Sequence, residues 1–180
     1  LYSRRYPMIA LREAASSNLS WQQPRAMKAE YELRAGDELL ATLWKSGAFG
    51  MAMEAEIGTA RFTLKAEGFL RSRITVQGAG VAGGPVVFFR TGFLGGGQLA
   101  LPDGWSHRWK MTSFWGSRWA FVDDSDRPLV SFASRHGFLR AGCDVEIAPG
   151  ALARPELPVL VLLGWYLLLR MREDSAAAAA

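Results

Sequence analysis

The chain of 180 residues is poor in the residues that most often carry chemistry. It has one cysteine, Cys143, and two histidines, His107 and His136. A single thiol excludes an internal disulfide framework, and with it the small stapled folds of oxidising compartments. One Cys and two widely separated His give no metal-ligand spacing. No signal-peptide core occupies the first 30 residues. The longest apolar run, residues 157–169, has 13 members, short of the about 20 that a bilayer-spanning helix needs. No nucleophile, base and orienting group occur in a recognisable constellation, so the sequence reads as non-catalytic and calls for no cofactor.

What is present is apolar and aromatic. Nearly half the residues are hydrophobic (49%), with 7 Trp and 10 Phe, and the formal charge is +4. Large rings suit a wide core that must be filled. Residues 1–25 are weakly patterned and read as an N-terminal arm. From residue 26 the period becomes two. Met51, Met53, Ala55 and Ile57 alternate with Glu54 and Glu56. Leu70, Ile74 and Val76 oppose Arg71, Arg73, Thr75 and Gln77. Trp105, His107, Trp109 and Met111 oppose Arg108 and Lys110. Trp115, Trp119 and Phe121 share a face, as do Leu139, Ala141, Cys143, Val145 and Ile147. Turn signals such as "AGD" 35–37, "PDG" 102–104 and "DDSDRP" 123–128 separate the runs. The pattern predicts about eleven short strands, with connections too brief for crossover helices. The sheet should therefore be antiparallel and wrapped round its own core.

The final run, "LPVLVLLGWYLLLR" (157–170), breaks that period. Arg154 and Glu156 precede it, and Arg170, Arg172, Glu173 and Asp174 close it. A helix of that length spans roughly 20 Å, and its charged flanks are costly at membrane depth. It is apolar all round, so no single amphipathic face is its use. A barrel of about a dozen strands has a lumen too wide for strand side chains alone. The run therefore reads as a helix at about 156–173 that fills the barrel. A tail-anchored membrane protein is the competing reading. The barrel domain is expected over 26–175, with the alanines 176–180 as a tail.

The stretches "KMTSFWGSRWAFVDDSDRPLVSF" (110–132), "CDVEI" (143–147) and "ELPVLVLLGWYLLLR" (156–170), in that order, resemble the tubby C-terminal superfamily. That group holds tubby-like proteins, phospholipid scramblases and the plant LURP-one-related proteins, and the chain looks most like its small, uncharacterised bacterial members. The resemblance implies a twelve-stranded barrel threaded by a central hydrophobic helix. It also implies phosphoinositide headgroups held by basic side chains on the barrel wall, including a Lys-x-Arg type pair. The nearest pairs here are Arg71-x-Arg73 and Arg108-x-Lys110, neither of which aligns securely to that site.

Other motifs have plainer readings. Gly78, Gly80 and Gly83 spell G-x-G-x-x-G after a strand. The "GPVVFFRTG" that follows is a strand, whereas a dinucleotide site needs a helix there. His107 shares its apolar face with Trp109 and reads as a hydrogen-bonded core histidine. "DDSD" (123–126) lacks the spacing, central Gly and terminal Glu of a calcium loop and reads as a polar turn. The basic surface has the most functional content. Residues 68–122 carry six Arg or Lys and one acid, while residues 30–56 are mainly acidic. By alternation Arg71, Arg73, Arg108 and Lys110 point outward, where they could hold an anionic phospholipid or an acidic protein surface. The Trp residues point the other way, so no stacking platform for nucleic acid is expected. The expected function is a binding or scaffold module, cytoplasmic and peripheral at a membrane surface. An accessory subunit of a larger, membrane-associated assembly is the alternative, with the basic arm "SRRY" lying along a partner.

Overall fold

The two-residue period becomes a sheet closed on itself. The computed structural model describes residues 6–47, 52–67, 73–79, 87–92, 95–115, 117–135 and 140–180. A short helix, α1 (Tyr6–Ala14), comes first. Twelve strands follow: β1 (Leu19–Gln22), β2 (Glu30–Ala35), β3 (Glu38–Lys45), β4 (Met53–Ile57), β5 (Ala60–Glu67), β6 (Arg73–Ala79), β7 (Val87–Thr91), β8 (Gly97–Ala100), β9 (Ser106–Met111), β10 (Arg118–Val122), β11 (Pro128–Ser134) and β12 (Gly142–Ile147). A 3-10 turn at Pro149–Ala151 leads into the long helix α2 (Leu157–Ala179). Every strand pairs antiparallel with its neighbour in sequence, and β1 pairs with both β2 and β12 to close the barrel. Closure leaves no edge strand to template aggregation.

Alternation sorts the side chains. In β4, Met53, Ala55 and Ile57 are buried while Glu54 and Glu56 reach toward solvent. In β12, Cys143, Val145 and Ile147 are buried between exposed Asp144 and Glu146. The inward set leaves room for one helix, and α2 occupies it. Residues 160–169 are buried without a break. This settles how a helix apolar all round is covered: the sheet surrounds it. Six leucines lie in that stretch, each contributing about 1.5–3 kcal/mol on burial. Aromatic rings fill the gap between helix and wall. Trp165 of α2 stacks on Trp21 of β1, with centroids 6.0 Å apart and planes 7° from parallel, and meets Tyr31 of β2 edge-on at 5.6 Å. On the far side Trp109 contacts Trp119, Phe121 and Phe132. Among the described residues no helix is long and apolar enough to cross a membrane.

The helix has a direction in the barrel. It enters beside the start of β9, where Glu156 meets His107. It leaves at the other end, where Met171 lies near Gly95 and Trp119. The helix α1 sits at the entry end: Leu11 and Ala14 are buried there, and Arg12 Nε donates to the Leu152 carbonyl. Beyond Met171 the last turns of α2, including the alanines through Ala179, are exposed.

Several sequence expectations are corrected. The segment 1–25 is more than an arm, because β1 within it is the strand that joins the two ends of the sheet. Its signal is faint: "LSWQ" is four residues long and Ser20 is buried along with Leu19 and Trp21. Trp115 does not share a face with Trp119 and Phe121. It lies before β10 and is 87% exposed, because the chain has left β9 and is in the turn before β10. Trp105 precedes β9 and is exposed, and Met111, at its last position, is 45% exposed. Met51, Leu70, Gly80, Gly83, His136 and Leu139 lie outside the described residues.

Candidate functional site

The basic strip is assembled by register across four strands. On the outer face of the barrel, Arg73 of β6 lies opposite Arg90 of β7, Arg90 opposite Gln98 of β8, and Gln98 opposite Arg108 of β9. All four are exposed. At about 4.8 Å per strand the row is about 14 Å long. Arg90 is one of the six Arg and Lys residues of 68–122, and no spacing in the sequence ties it to the pairs. Only register shows that it sits between them. Arg71 lies outside the described residues.

Each member of the strip has a distinct setting. Arg73 is held loosely by Glu67, with nitrogen and oxygen 3.6 Å apart, and its guanidinium lies 5.3 Å from the centre of the Phe88 ring. Such stacking fixes a guanidinium while leaving its donors free. Among the described residues Arg90 has no carboxylate partner, and it faces another arginine across the strands. Like charges directly opposite repel, so this point of the strip gains most from an anion. Arg108 and Lys110 converge on one carboxylate, with Asp126 Oδ1 3.0 Å from Arg108 Nη2 and 2.7 Å from Lys110 Nζ.

Asp126 belongs to the turn between β10 and β11, which the sequence read as a polar hairpin. Asp123 Oδ1 accepts the backbone N–H groups of Ser125 and Arg127, which folds the turn back on itself. Asp126 takes a left-handed conformation (φ 62°) that few side chains other than Asn and Asp adopt readily. The Lys110 hydrogen bond, with the charges of Arg108 and Lys110, holds its carboxyl below the usual range. Asp123 is lowered as well, first by the backbone N–H of Arg127. An internal carboxylate thus occupies the space between Arg108 and Lys110. Sequence spacing could not reveal this clamp, because Asp126 is 16 residues from Lys110.

Other polar groups are structural. His107 is fully buried, and its Nε2 lies 2.8 Å from Glu156 Oε1. The core-histidine reading holds, with a partner the sequence did not supply. Burial works to raise the Glu156 carboxyl, but the His107 hydrogen bond, its own backbone and the charges of His107 and Arg154 outweigh that and hold it low. Cys143 is buried, and burial pushes its thiol well above the usual range. Among the described residues no three His, Cys, Asp or Glu stand close enough to share a metal ion. A cavity of about 30 Å³ beside Tyr31, Tyr166 and Glu173 has room for a water or two. A groove of about 630 Å³ between Lys28, Trp44 and Arg61 is open to solvent.

The aromatic picture also changes. Trp105, Phe114 and Trp115 are on the surface, so the premise that all Trp residues point inward does not hold.

A scan against protein-family models found no match, and searches of curated proteins and of solved structures found none either. The class is therefore defined by the fold alone: a closed twelve-stranded antiparallel barrel around its own C-terminal helix.

Proposed function

We propose that this barrel is a non-catalytic binding module of the tubby-like kind, which docks through its outer basic strip on anionic phospholipid headgroups at the cytoplasmic face of a membrane. The observation that carries the reading is the row Arg73, Arg90, Gln98 and Arg108, laid across four adjacent strands by their register. Three guanidiniums and an amide on one rigid wall offer planar donors at intervals suited to phosphate oxygens. The stem of the row is preorganised, since the strands beneath it are part of a closed sheet.

Vesicle sedimentation tests this. The protein should pellet with vesicles of phosphatidylcholine and phosphatidylserine and stay in solution with phosphatidylcholine alone. Replacing Arg73, Arg90, Arg108 and Lys110 by Ala should abolish pelleting. Asp126→Ala should strengthen it, because it releases Arg108 and Lys110 for an external anion. Equal binding to both vesicles, or unchanged binding by the fourfold variant, would exclude the reading.

A further inference from the structure

The two ends of the barrel differ in kind. The strands β1, β3, β5, β7, β9 and β11 all end on the side of the barrel where α2 leaves, and six connections start there. By sequence they span residues 23–29, 46–52, 68–72, 92–96, 112–117 and 135–141, and hold no Asp or Glu. They contain Arg25, Lys28, Arg71, Arg135 and Arg140. The connections at the other end span 36–37, 58–59, 80–86, 101–105, 123–127 and 148–156. These hold six acids (Asp37, Asp103, Asp123, Asp124, Asp126, Glu156) against Arg127 and Arg154. The connections at one end thus hold no acid, although α2 brings Glu173 and Asp174 out there and Arg25 and Arg135 pair with Glu30 and Asp144, while the connections at the other end are acidic.

The end where α2 leaves also presents large apolar side chains to water. Phe114 and Trp115, at the tip of the β9–β10 hairpin, are 94% and 87% exposed. Their rings meet edge-on at 5.5 Å, and Ser113 Oγ accepts the N–H groups of Ser117 and Arg118 across the turn. In the β1–β2 connection Met27 is 99% exposed and held at φ 70°, a conformation that a residue without a local hydrogen-bonding side chain adopts at a cost. Apolar side chains exposed side by side, as Phe114 and Trp115 are, mark interaction sites more often than singly scattered ones do.

We propose that this end of the barrel is a membrane-docking face. Phe114, Trp115 and Met27 enter the interface of an anionic bilayer, and Lys28 and Arg140 lie at its headgroups. Trp and Phe favour that interface, and basic side chains beside them add attraction to anionic lipid. Charge favours this occupant over a second copy of the chain, since Lys28 and Arg140 have no carboxylate partner among the described residues and two such ends would set like charges against each other. The segment of α2 that emerges here carries Arg170 and Arg172 balanced by Glu173 and Asp174, and its alanines carry no charge that would hold the face off the bilayer. The inference shares with the proposed function only an anionic lipid partner. The contact lies at the end of the barrel, while the basic strip lies on its wall.

The test uses the full chain with vesicles of phosphatidylcholine alone and of phosphatidylcholine with phosphatidylserine, and follows pelleting together with tryptophan emission. The wild type should pellet with the anionic vesicles and its emission should shift to the blue. Trp115→Phe should still pellet but lose most of the shift. The double variant Phe114→Ser with Trp115→Ser should bind at least about ten-fold more weakly, with an unchanged thermal midpoint because both side chains are exposed. Three results overturn the inference: no pelleting, an unchanged double variant, or a blue shift that survives Trp115→Phe. If the fourfold Arg/Lys variant fails to pellet while the Phe114/Trp115 variant binds normally, the wall is the contact and the end is not. The opposite pair of outcomes would retain the end and discard the wall.

Discussion

The ring of Phe132, on β11, fills the notch that Gly164 leaves in α2. A Cβ at Gly164 would stand 2.2 Å from Phe132 Cζ and 2.3 Å from Cε2. Gly164 is the one residue without a side chain in the apolar run of the helix, and the absence is used. Gly in a helix interior costs about 1 kcal/mol relative to Ala, a cost offset here by close approach of the wall.

Gly164→Ala therefore sets a helix gain against overpacking. Overpacking costs about 1–3 kcal/mol, so a net loss of up to about 2 kcal/mol is expected, or a fall in the thermal midpoint of up to roughly 8 °C for a chain of this size. In a Phe132→Leu background the shorter side chain should relieve the clash, making the same change neutral or stabilising. A double-mutant cycle measures the coupling. Additive effects would show that the notch and the ring are independent.

Acid should weaken the fold through Glu156. Its carboxyl is held below the ordinary value of 4.5, so the folded state binds its proton less readily than the unfolded chain does. The stability this gives is fully present above the unfolded value and is lost as pH falls through the depressed folded value. Urea melts between about pH 7 and pH 3 should show that slope, and Glu156→Gln should flatten part of it. An identical acid limb in the variant would mean that the His107–Glu156 contact contributes no pH-dependent stability.

Cys143 should report on the closure of the barrel. It lies opposite Trp21 where β12 meets β1, and burial keeps its thiol protonated well past neutrality. Thiolate reagents need the ionised, accessible form. At pH 8 the folded protein should therefore label only as fast as the β1–β12 seam opens, and Trp21→Ala should accelerate labelling. Immediate labelling of the native protein would contradict the closed seam.

The filled lumen makes one substitution decisive. Leu160 is fully buried in α2. Leu160→Ala should cost about 2–5 kcal/mol. Leu160→Asp would bury an unpaired carboxylate, which costs several kcal/mol more, and should leave the chain unfolded by circular dichroism. A folded Leu160→Asp protein would mean that α2 is not the core.

Much of this architecture was legible because two periods, two and all-round, are physically distinct. Alternation such as Met53, Ala55 and Ile57 can bury only one face, so those strands needed a common core. An apolar helix with charges at both ends needed a sleeve. What stayed hidden depends on register or on exceptions to the pattern. The short β1 was lost because Ser20 is buried beside Leu19 and Trp21, which erases the alternation. Trp115 was misplaced because "SFWGS" continues the strand spacing while bending into a turn, although its Gly-Ser pair was the available sign. Arg90 joins the strip only through its pairing with Arg73 and Gln98. The Asp126 clamp depends on where a turn returns relative to β9, which no local spacing reports.

The pairing of β1 with β12 also governs the order in which the protein can be made. The first strand finds its second partner only after residues 142–147 have been synthesised, and the helix that fills the lumen comes later still. Contacts this distant in sequence slow folding. Until the last helix is available, the chain presents open strand edges and unfilled aromatic surface. Folding should therefore be a late, post-synthetic event, and fragments lacking α2 should accumulate as aggregates rather than as smaller barrels.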